Sequence, residues 1–164
     1  MQTRHLEEIV VTLGLTGWLV HIDPSPVGFN FLTRYPEIAR FAGQFRTCVS
    51  PDEKVLFYGW EDFADDSDQG WRFLEQAISF QAAEGDAVWT SMIKAFWSTH
   101  LPFALSVRSG YSSLLIDTNA RIFLSIEPEF ESPILIADSV ESFVEIAQNE
   151  LATGKGDFAD FIFR

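Results

Sequence analysis

The sequence predicts an α+β fold, an antiparallel sheet with helices packed mainly on one side of it. Three observations predict it. Short β-rich segments separated by turn residues crowd the stretch from His100 to Ala137. Apolar residues at helical spacing flank that stretch on both sides. The composition is 47% hydrophobic with 16 Phe and 5 Trp in 164 residues, too apolar for a disordered chain and sufficient for a core. No repeat, low-complexity tract or linker divides the chain, so residues 1–164 are expected to form one domain.

The elements follow in order. Leu6, Ile9, Val10 and Leu13 predict a first helix that stops at Gly14. Trp18 to Ile22 predicts a strand, and Asp23-Pro24-Ser25-Pro26 a turn-rich break. A helix is expected from Tyr35 to Phe45, with Pro36 in its first turn and Ile38, Phe41 and Phe45 on one side. Ser50-Pro51-Asp52 is a turn before a strand over Lys54–Trp60. Glu61 to Asp68 carries five acids in eight residues, interrupted by Phe63, and reads as a loop. Helices are expected near Trp71–Ala83 and Ala87–Ser98, parted by Gly85 and capped by Asp86. Pro102–Val107, Tyr111–Asp117 and Arg121–Ile126 then form a meander, with Pro133–Ala137 as a further strand. Asp138 and Glu141 have the spacing of a capping box for the last helix. Its stripe is Val140, Phe143, Val144, Ala147 and Leu151, and Gly154 ends it. The tail from Asp157 to Arg164 is too apolar to be solvated; it packs on the fold or meets a partner.

Charge narrows the functional classes. There are 24 acidic and 11 basic side chains, a formal net charge of -13. Residues 1–82 hold 12 acids and 6 bases, and residues 83–164 hold 12 and 5, so the charge is not a detachable tail. Such a field repels phosphate backbones and anionic membranes, which argues against nucleic-acid and membrane partners. It steers basic proteins. Cys48 is the only cysteine, which fits a reducing compartment, and the acidic N-terminal stretch lacks a signal-peptide apolar run. A cytoplasmic protein is expected.

The patterns that carry chemistry are missing. His5, His21 and His100 lack partners at metal-ligand spacing, and neither HExxH nor a Cys pair occurs. Asp66-Ser67-Asp68-Gln69-Gly70 resembles a calcium loop, but Gly70 sits where a ligand is needed and Ala77 occupies the last position. Neither a GxSxG elbow nor a phosphate-binding glycine loop is present. Cys48 lacks a placed base and reads as a core residue. Trp60, Trp71, Trp89 and Trp97 could line a ligand platform, but at these spacings they read as anchors for helices. Catalytic residues, metals and cofactors are therefore not expected.

The second half carries a resemblance. Leu101-Pro102-Phe103-Ala104 is followed by Gly110-Tyr111, then Leu114-Leu115-Ile116-Asp117. Arg121-Ile122-Phe123-Leu124 comes next, and Ile136-Ala137-Asp138-Ser139-Val140-Glu141-Ser142-Phe143 last. In this order the motifs resemble the SUKH superfamily, the Smi/Knr-type fold, over about residues 100–152. The sequence departs where that family often has Gly in the hairpin after the Asp; Asn119-Ala120 stands there, and Asn tolerates the left-handed conformation. Pro36 is the candidate for the family's N-terminal proline. The resemblance implies a single SUKH-like domain and, for bacterial members, immunity proteins that neutralise toxin domains. Other members are regulatory scaffolds. It implies no catalytic residues.

Three functional readings follow. The first is a non-enzymatic immunity-type protein that binds a basic toxin domain through an acidic surface. Its expected contacts are Glu61, Asp62, Phe63, Asp65, Asp66 and Asp68 in one loop, and Glu127, Glu129 and Glu131 in a second. The second reading is a regulatory scaffold. The third is a small-ligand enzyme with an aromatic-lined cleft, which would require two convergent titratable groups in a deep pocket.

Overall fold

The computed structural model describes residues 5–24, 33–64 and 74–164. Among these residues there are seven helices and seven strands in one antiparallel sheet. Each strand pairs with its neighbour in sequence, in the order β1 to β7. The strands are β1 (Leu19–Ile22), β2 (Phe45–Val49), β3 (Val55–Phe57), β4 (His100–Ser106), β5 (Ser112–Asp117), β6 (Ile122–Ile126) and β7 (Ile134–Ala137). Helices α1 (Glu7–Leu15) and α2 (Pro36–Ala42) flank β1 in the chain. Helices α3 (Trp60–Ala64), α4 (Leu74–Ala82) and α5 (Ala87–Trp97) are inserted between β3 and β4, and α6 (Val140–Thr153) and α7 (Asp157–Phe163) follow β7.

Side chains alternate along each strand, so the central strands β4 to β6 bury both faces, while the edge strands β1 and β7 are largely exposed. Leu114, Ile116, Ile122 and Leu124 enter the main core with α1, α2, α6 and α7. Leu115 and Phe123 point the other way, into a smaller core with Ile93 and Trp97 of α5 and with Phe130. The larger share of the helices thus covers one face, as expected. Phe41, Phe57, Phe103 and Phe143 meet edge-on or tilted in the main core, with ring centroids 6.1–6.5 Å apart.

Several expectations shift. The helix expected through Phe45 ends at Ala42, and Phe45–Val49 is strand β2. Phe45 lies four residues after Phe41 and packs against it, so it fits a helical stripe while starting a strand. The acidic stretch read as a loop begins as helix α3. The cap of α6 is Ser139, not Asp138: its hydroxyl accepts from the Ser142 N–H, and the Ser142 hydroxyl accepts from the Ser139 N–H. In the β5–β6 hairpin the left-handed residue is Ala120, at φ 61°, and not Asn119. The Asp117 carboxylate holds that turn by accepting from the Asn119 and Arg121 backbone N–H groups. The tail packs on the fold as α7, with Phe158, Phe161 and Ile162 buried. The Glu150 carboxylate accepts the Phe158 and Ala159 N–H groups at its start. Arg108 donates to the Ile162 carbonyl while forking onto Asp52.

Candidate protein-binding surface

The two acidic segments named from the sequence have different fates. On α3, Asp62 accepts from the Gly59 N–H at 2.8 Å, and burial pushes its carboxyl up to about 6. Gly59 itself has no room for a side chain, since a Cβ there would lie 2.5 Å from the Arg46 carbonyl oxygen. Glu61 is paired with Arg46 at 2.6 Å. Phe63 is fully buried and meets the Tyr58 ring edge-on, so it offers no surface to a partner. Its aromatic ring belongs to the core because α3 folds back onto the sheet. Asp65, Asp66 and Asp68, with the calcium-loop look-alike, lie outside the described residues.

The second segment joins β6 to β7. Glu127 accepts from the Tyr111 N–H at 3.0 Å and so ties this loop to the β4–β5 turn. Glu131 accepts from the Trp89 indole N–H of α5. Glu129 is exposed. Strands β3 and β7 lie four places apart in the sheet, about 19 Å at the usual spacing. The strand that leads into α3 therefore lies well away from β7, the strand that follows the second segment.

What surrounds the second segment is not apparent from its own residues. Leu124, Ile126 and Ile134 line two adjoining surface grooves of about 300 and 220 Å³. The larger also takes in Tyr111 and Phe161 and is rimmed by Asp157 and Asp160 of α7. The smaller is rimmed by Glu127 and Glu129. The result is a trough of aliphatic and serine side chains with acids on both banks. Arg164, paired with Asp160 at 2.8 Å, is the only base lining it among the described residues. Ile126 is 50% exposed and Ile134 49%, so aliphatic side chains stand open to solvent.

The charge is also less even than a comparison of halves implies. From Ile122 to Gly154 there are seven acids and no Lys, Arg or His. A fifth of the chain thus carries more than half of the net charge of -13. This base-free run is β6, β7 and α6: the two strands lie at one edge of the sheet, while α6 packs across the main core, with its Phe143 on Phe103 of β4 and its Gln148 donating to Glu8 of α1. Of its seven acids, Glu127 and Glu129 line the trough, and Glu150 is taken up at the start of α7.

The remaining candidates are structural. Cys48 is buried in β2 and burial pushes its thiol up to about 12, so it is no nucleophile. His100 stacks on Phe96, and burial lowers its pKa. Trp60 donates to the Asp23 carbonyl and Trp97 is buried in the smaller core, so these indoles anchor separate elements instead of lining one cleft. Trp71 lies outside the described residues. No cluster of metal-ligating side chains occurs among the described residues, and no helix there is long and apolar enough to cross a membrane.

One titratable group escaped the sequence reading. Glu75 of α4 is wholly buried and accepts from the Tyr58 hydroxyl at 3.0 Å and the Ser113 hydroxyl at 2.6 Å. Burial raises its pKa, and one of its carboxylate oxygens has no hydrogen-bond partner among the described residues. Nothing in its sequence context distinguishes it from the solvated acids. Searches against protein-family models, curated proteins and solved structures found no match to this chain.

Proposed function

We propose that this chain is a non-enzymatic protein-binding domain that holds a basic surface of another protein in the acid-banked trough of β6, β7 and α7. The observation that carries this reading is the pair of grooves in which exposed Ile126 and Ile134 lie between Glu127 and Glu129 of the β6–β7 loop and Asp157 of α7. Apolar side chains supply contact area, and the acids around them supply orientation and a fast, selective approach. The likeness of residues 100–152 to immunity proteins makes a toxin domain the favoured partner class, with binding blocking the toxin's basic active-site rim. The reading places the chain in the reducing cytoplasm, consistent with a single, buried cysteine.

The direct test is co-purification with the basic product of the adjacent gene, at low and high salt. Capture that weakens with salt, and that falls roughly tenfold or more in Glu129→Lys/Asp157→Lys, is expected. Capture unchanged by salt and by both reversals would exclude the trough as the contact surface. Co-expression of the chain should also restore growth to cells expressing that partner.

A further inference from the structure

We propose that recognition at this surface is by strand addition: an extended, lysine- or arginine-bearing segment of the partner pairs with the outer edge of β7 as an eighth strand. This rests on the protein-binding reading above and specifies its mode. β7 is the last strand of the sheet, and among the described residues no strand pairs with its outer edge. Its four residues, Ile134-Leu135-Ile136-Ala137, hold neither a charge nor a proline. Sheet edges left bare in this way invite pairing, and proteins that avoid it place Lys, Pro or an inward charge on the strand. Leu135 and Ile134 are 47% and 49% exposed. An added strand would lay alternate side chains on each of them while its backbone satisfied the open N–H and C=O groups.

Charge selects the occupant. Exposed acids stand at both ends of the strand: Glu129 precedes it, and Asp138 and Glu141 follow. A second copy of this chain, pairing β7 with β7, would bring these carboxylates together between two molecules each at -13. A cationic strand meets the same carboxylates as counter-charges. The apolar edge drives pairing, and its flanking acids set the sign of what pairs.

Two octapeptides of equal charge test this, one alternating lysine with valine and one alternating lysine with proline, which cannot form a strand ladder. Each is titrated into the full chain, with amide hydrogen exchange and amide NMR shifts as readouts. The lysine–valine peptide should bind on the order of tenfold tighter and slow the exchange of β7 amides. Leu135→Lys, at an exposed position, should remove that advantage while leaving the fold intact. Equal binding by both peptides, with shifts at Glu129 and no protection of β7, would overturn strand addition and leave the acidic-trough reading standing. Protection at β1 in place of β7 would overturn strand addition as well. Failure of both peptides to bind would sink strand addition and the trough reading together.

Discussion

The two acidic segments are alike as sequence, but their described residues differ in what lies beside them. On α3 Asp62 accepts the Gly59 N–H, Glu61 is taken up in a surface pair with Arg46, and Phe63 after them is core. At the β6–β7 edge Glu127 and Glu131 also accept N–H groups and Asp160 pairs with Arg164, but Glu129 and Asp157 stand beside open aliphatic surface. On the proposed reading, a run of acids marks a binding face only where open aliphatic surface lies next to it.

The largest effect that would break this contrast is at Phe63. Phe63→Ala should cost about 4 kcal/mol of stability, read by chemical denaturation, because the vacated volume faces packed aromatics. A loss below about 1 kcal/mol would mean that the ring is not core. Gly59→Ala should cost about 3 kcal/mol, since the new methyl would press on the β2 backbone and not on a movable side chain. Asp62 supplies a pH-dependent test. Its folded pKa, about 6, lies above the ordinary 3.8, so its favourable contribution is complete below 3.8 and is lost as pH rises through 6. Asp62→Asn keeps an acceptor for Gly59 but cannot ionise. It should stabilise the protein by about 1 kcal/mol at pH 7.5 and by nothing measurable at pH 3.5. The smallest effect on stability belongs to the other edge. Glu129→Gln should stay within about 0.5 kcal/mol of the parent, while measurably slowing association with a cationic partner at low salt.

The β4–β7 meander and the stripe of α6 were legible because turn residues and periodicity agreed there. Gly110, at φ 109°, and Gly154, at φ 67°, take the left-handed turns their positions demand. β2 was illegible for a definite reason: Phe41 and Phe45 sit four apart and touch, which imitates a helix, while Gly43-Gln44 makes the break between them. The cap of α6 slipped by one residue because Asp138 and Ser139 are both good caps, and the contact with Ser142 decides between them. For the candidate surface, Glu127, Glu129 and Glu131 could be named from sequence, but Asp157 and Asp160 could not. Only the packing of α7 across the sheet brings them to the same trough. Glu75 could not be read at all, since its burial is set by the Tyr58 and Ser113 hydroxyls of distant segments.

The strictly sequential strand order bears on how the molecule assembles. β4 to β7 join through short hairpins, so their contacts close small loops and cost little chain entropy. β3 and β4, though adjacent in the sheet, are separated in the chain by α3, α4 and α5. Pulse-labelling during refolding should find amides of the C-terminal meander protected early and the β3–β4 seam closing late, so that a molecule already presenting its acidic edge still has half its sheet to complete.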